Sequence, residues 1–170
     1  MKAQVLLEVS MICTMALITI AYLYRSNASS GNKIQIFAIA LLGGFMVLGG
    51  TAKFFQPFAT MFASQVELSG LPLPKLAKFA GQMGEIAAGI MYLLVLTKDK
   101  LISANTAEIL LKSATFLTLV IMTVAVYVHL SPSVPAEVLP FQSKPPVLTV
   151  IVMFISLFTF IASKRKSQKS

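Results

Sequence analysis

Five apolar runs of about twenty residues each constrain this chain more than any other feature, because roughly 20 residues at 1.5 Å rise cross a ~30 Å hydrocarbon core. They cover about 4–24, 34–55, 77–97, 106–130 and 146–163. Lipid offers the backbone no hydrogen bonds, so each run is predicted to be helical. The expected fold class is all-α: an integral membrane helical bundle of five transmembrane helices. Composition agrees, since 56% of the 170 residues are hydrophobic and only 12% are charged, with a mean hydropathy of +0.83. A net charge of +8 would suggest nucleic acid in a soluble protein. Here the basic residues sit in short patches between apolar runs, where they orient spans and meet anionic headgroups. Membrane lipid is therefore an expected partner and nucleic acid is not.

The first run resembles a signal peptide in following an N-terminal lysine. It is read instead as a retained helix, being longer than a signal core, carrying Glu8, and ending at Tyr22, Tyr24 and Arg25 as an aromatic and basic boundary. The sequon Asn27-Ala28-Ser29 would matter only in a lumenal loop. Five spans place the termini on opposite sides. Arg25, Lys33, Lys98, Lys100 and the tail KRKSQKS share the more basic side, predicted to be cytoplasmic, so the N-terminus faces outward. The expected location is a bacterial inner membrane. Between the second and third spans, Phe58, Met61, Phe62 and Val66 recur at helical spacing, predicting a short helix at the outer interface. Gly70 and the prolines of GLPLP should end it. The proline-rich loop SPSVPAEVLPFQSKPP is expected to be irregular but stiff.

A carboxylate inside the third run is the unusual feature. A charge near a bilayer centre costs at least ~2.5 kcal/mol, so such a residue faces a bundle interior or cavity and has a partner. Glu85 lies on a stripe with Gly81 and Gly89, beside Gly84, and should point into a groove that a neighbouring helix enters. The second run carries Gly43, Gly44, Gly49 and Gly50 before Lys53, with Gly49 and Lys53 one turn apart on one face. These seven glycines are expected to pack helices closely. With the topology above, Glu8, Lys53, Glu85 and His129 come from four spans into the outer half of the membrane. Lys53 is the expected partner of Glu85, because its stem reaches down while its ammonium stays near the boundary. His129 is read either as an interfacial residue or as a proton relay. Glu108 and Lys112, in the Glu-to-Lys order at i, i+4, read as a self-neutralising pair without function.

The run GGFMVLGGTAKF, the SGLP turn, the glycine-flanked Glu85 and the segment VHLSPSVP with KPPVL resemble the DoxX-like family of small four-helix membrane proteins, over about residues 34–163. The matching positions are Gly43, Gly44, Gly49 and Lys53; Gly70, Leu71 and Pro72; Gly81, Glu85 and Gly89; and His129. The resemblance implies a four-helix membrane domain at 34–163; the helix and cytoplasmic loop at 1–33 depart from the family's usual four helices, and residues 164–170 form a basic cytoplasmic tail. Glu8 falls outside it. Members of the family are associated with redox systems: one branch resembles the small subunit of thiosulfate:quinone oxidoreductase, and relatives include assembly factors for membrane proteins.

Two functions follow as expectations. In the first, an accessory subunit of a membrane redox system binds a quinone or similar lipid-soluble carrier in the outer leaflet, with Lys53, Glu85, His129 and Glu8 as ligand-binding or proton-handling groups. One histidine cannot supply two imidazoles to a haem, the single Cys13 cannot cycle through an internal disulfide, and no dinucleotide fingerprint is present. No metal or covalently bound cofactor is expected, and any electron-transfer centre would lie on a partner protein. In the second, a helix-binding or assembly factor without catalytic activity recruits a client through the glycine faces.

Overall fold

The computed structural model describes residues 3–25, 30–98 and 101–167; Lys2, the sequon at Asn27, Lys100 and the last three residues of the basic tail lie outside them. Six helices account for most of these residues: α1 (Ala3–Arg25), α2 (Ser30–Ala52), α3 (Phe58–Leu68), α4 (Pro74–Val95), α5 (Ala104–Leu130) and α6 (Val147–Ser167). No strand occurs among the described residues. α1, α2, α5 and α6 are long and apolar enough to cross a membrane, as expected of a multi-pass membrane protein. α4 has 22 residues, but Lys78, Gln82 and Glu85 make it less apolar than the others.

Local chemistry places the helix ends. Ser103 caps α5 by accepting from the Thr106 backbone N–H at 3.1 Å, which satisfies one of the unpaired donors of the first turn. Pro74 opens α4, three residues earlier than the hydropathy predicted, because a proline at the first helical position gives up no hydrogen bond. α3 ends at Leu68, and the chain turns through Gly70 at φ +72.

α2, α4, α5 and α6 form a closed ring in that order, with α6 returning to α2, while α1 lies outside the ring against α2. Glycine makes the ring tight. A Cβ on Gly89 would sit 2.7 Å from the Gly43 carbonyl oxygen, and one on Gly50 3.0 Å from the Gln82 carbonyl. α2 and α4 thus approach backbone to backbone. Gly84 leaves room for Ile121 of α5, and Gly44 receives Met15 of α1. These predicted glycine faces are filled from within the chain. The core combines Leu42, Met46, Ala88, Leu111 and Ala114 with a buried hydroxyl set, in which Tyr92 Oη lies 2.6 Å from Ser156 Oγ and donates to Thr115 Oγ1 at 3.5 Å.

One end of the ring is capped by α3 and by the loop joining α5 to α6. That loop departs from expectation: instead of running irregularly it folds into two 3-10 turns, Ala136–Val138 and Pro140–Gln142. The reason is burial. Val134 and Leu139 are fully enclosed against Val128, while Gln65 donates to the Val138 carbonyl and Ser133 to the Leu68 carbonyl.

Gly89→Ala should lower stability by about 1–3 kcal/mol through overpacking. Gly49→Ala should cost less, since its Cβ would meet only Glu85 Oε2, at 3.6 Å. Thermal unfolding of both variants in detergent compares the two.

Candidate functional site

The capped end of the bundle gathers the ends of every long helix. α1 begins there, α2 ends there, α4 and α6 start there, and α5 finishes there, as the contacts Lys53–Glu85, Glu8–Phe141 and Tyr127–Ser69 require. Each candidate residue is placed by its helix. Lys53 follows the last residue of α2, and Glu85 sits three turns into α4 on the buried face with Gln82, Gly89 and Tyr92.

Lys53 Nζ is ion-paired and hydrogen-bonded to Glu85 Oε1, with the side chains 19% and 12% exposed. Such enclosure makes the charges interdependent, because removing one leaves the other in a poorly solvated site. The ammonium also stands 4.3 Å from the centroid of Phe62 in α3, within cation–π range. Gly49, one turn before Lys53, faces the other Glu85 oxygen, so no side chain fills that side of the carboxylate.

Glu8 is bound differently. Its Oε1 accepts from Gln4 Nε2 at 3.0 Å and its Oε2 from the Phe141 backbone N–H at 2.7 Å. Gln4 Oε1 accepts from Gln142 Nε2 at 3.1 Å. Two residues one turn apart on α1 therefore hold two consecutive residues of the α5–α6 loop. Both loop residues have φ +52, a left-handed conformation that costs non-glycine residues about 1–3 kcal/mol.

His129, in the last turn of α5, is buried, and its Nδ1 has no hydrogen-bond partner. The backbone of Ser143 and Lys144 lies beside the ring, and Lys144 Nζ donates to the Ser131 carbonyl at 2.6 Å. No hydrogen bond among the described residues joins His129 to the Lys53–Glu85 pair.

All four residues nevertheless line one cavity of about 560 Å³. Its walls are mostly apolar, with Phe45, Phe58, Phe62 and Phe141 among them, and Met122 and Val152 connect it to the hydrophobic core. His129 also borders a second depression, beside Lys144 and three prolines. The cavity contains polar residues that the sequence reading did not select: Gln65 of α3 and Thr149 of α6. Thr149 had a signal, being a hydroxyl inside an apolar run. Gln82, buried with Nε2 unpartnered, lies one turn before Glu85 and had the same kind of signal. Glu108 and Lys112 pair at 2.7 Å, about half exposed and away from the cavity. Among the described residues no group of His, Cys, Asp or Glu is assembled to hold a metal ion.

No family model matches this chain, and neither a curated protein nor a solved structure does.

Lys53→Met and Glu85→Gln should each destabilise the protein by about 3–5 kcal/mol, the cost of stranding a buried charge. The double variant should lose less than the sum of the two. Thermal unfolding of the three variants checks this coupling, and strictly additive losses would mean the residues act independently.

Proposed function

We propose that this chain is a DoxX-like membrane protein that binds a quinone, or a similar lipid-soluble carrier, as the accessory subunit of a membrane redox system. The observation that carries this reading is a largely apolar cavity lined together by Glu8, Lys53, Glu85 and His129, which come from four separate parts of the chain. A cavity of this size lies in the range of small-molecule sites, where an apolar wall takes up the body of the ligand and a few polar groups orient it. The ammonium of Lys53 retains donor capacity beyond Glu85, since it has three N–H groups, and a carbonyl oxygen of the ligand is a suitable acceptor. His129, which borders both the cavity and the second depression, would exchange a proton with the headgroup. The carrier supplies two-electron redox chemistry, and the partner protein supplies the electron-transfer centre.

In this reading α4 is also a span, the third of five in chain order, its charge neutralised by Lys53, and α3 lies at the outer interface. The protein sits in a bacterial inner membrane with the N-terminus outside and the basic tail in the cytoplasm, as the Lys and Arg distribution favours. The helix-recruiting alternative receives less support, because Gly43, Gly50, Gly84 and Gly89 already face other parts of the chain.

Purified protein in mild detergent should retain quinone detectable by mass spectrometry and bind added decylubiquinone. Lys53→Met should weaken that binding about tenfold, the equivalent of one charge-assisted hydrogen bond. Wild-type protein free of quinone and indifferent to decylubiquinone would end this reading. Reporter fusions should be active on opposite sides of the membrane at the two termini; activity on the same side would refute five spans.

A further inference from the structure

The cavity is open to the outside of the bundle, since Leu48 of α2 and Val120 and Val124 of α5 both line it and are exposed, and both helices are long and apolar enough to lie in lipid. Any cavity open to hydrocarbon is bathed in the bilayer's own amphiphiles, whose heads carry phosphate or carboxylate. An apolar cleft containing a lysine would ordinarily collect them, because an unpaired ammonium in a poorly solvated site is a strong anion ligand.

This wall is arranged otherwise. The Lys53 ammonium is engaged by Glu85, and a second carboxylate, Glu8, is satisfied by the neutral donors Gln4 and Phe141 N–H. Among the described residues, one cation thus stands against two carboxylates, with His129 as the only other ionisable group on the wall. The wall has no excess of positive charge whether the imidazole is neutral or protonated. An anionic head entering here has to displace Glu85 from Lys53 and leave that carboxylate buried without a partner. An uncharged head bearing an acceptor oxygen does not, because it takes a remaining ammonium donor and leaves the pair intact.

We propose that the Lys53–Glu85 pair is a charge filter: it admits uncharged amphiphiles with hydrogen-bonding heads and turns away fatty acids and phospholipids. Glu85 is then a specificity-determining residue whose role is to occupy Lys53. The inference rests on the cavity being a ligand site, as proposed above, and it specifies the charge of what enters.

The test compares decylubiquinone, which is uncharged, with oleate, at mildly alkaline pH so that the fatty acid is ionised. Binding is measured by calorimetry and by the shift of the melting temperature. Wild-type protein should be stabilised by decylubiquinone and not by oleate. Glu85→Gln, which frees the ammonium, should bind oleate about tenfold or more tighter than wild type and recover melting temperature in its presence. The double variant Lys53→Met with Glu85→Gln should lose this gain. If Glu85→Gln folds only when oleate is supplied, that rescue supports the filter. Wild type binding oleate as well as decylubiquinone would overturn the filter while leaving the cavity a ligand site. Wild type binding neither, with Glu85→Gln gaining oleate, would support the filter and overturn the quinone reading. No gain of oleate in a folded Glu85→Gln protein would overturn the filter outright.

Discussion

A carboxylate buried inside a helical bundle has to be neutralised, and in this protein that requirement is met by a lysine at the end of a different helix. Lys53 reaches Glu85 because α2 and α4 touch backbone to backbone, and they touch because Gly43, Gly50 and Gly89 carry no Cβ at the crossing. Glycine lowers helix propensity by ~1 kcal/mol relative to alanine, so this sequence gives up local helix stability along α2 to gain the approach. The ion pair is correspondingly dependent on packing. A small separation of the two helices would weaken the attraction while leaving much of the desolvation cost in place.

The cavity follows from where that crossing lies. Beyond Gly49 the space around Glu85 is left open by the missing side chain and is roofed by α3 and the α5–α6 loop. α1 completes the wall without joining the ring, held at this end by Glu8 and Gln4 on Phe141 and Gln142. Both loop residues have left-handed backbone, and the Phe141 N–H is held there by Glu8. Glu8 is therefore a structural tie as well as a wall residue, a role its position in the sequence did not suggest.

Away from the cap the ring is differently built. Tyr92, seven residues or ~10 Å along α4 from Glu85, meets Ser156 and Thr115 inside an apolar core with no accessible space around it. The bundle thus has a tightly packed half and a hollow half, divided near Met122 and Val152. Such a division would suit a binding site, because the packed half fixes the helices on which the groups lining the cavity stand.

Much of this was legible in one dimension. Helix existence and approximate extent followed from hydropathy runs, since each α-helix satisfies its own backbone within a contiguous segment. α3 followed from the spacing of Phe58, Met61, Phe62 and Val66, and the Lys53–Glu85 pair from the need of a glutamate inside an apolar run for a cation within reach on a neighbouring segment. What the sequence could not determine depends on contacts between distant segments. The ring order with α1 outside it, the folding of the proline-rich loop around Val134 and Leu139, and the separation of His129 from the ion pair all belong here. The Glu8 bond to Phe141 spans 133 positions, and no local pattern announces it. Periodicity reports which face of a helix is apolar; only the packing of all six helices decides which face meets which, and so whether four ionisable residues enclose one space.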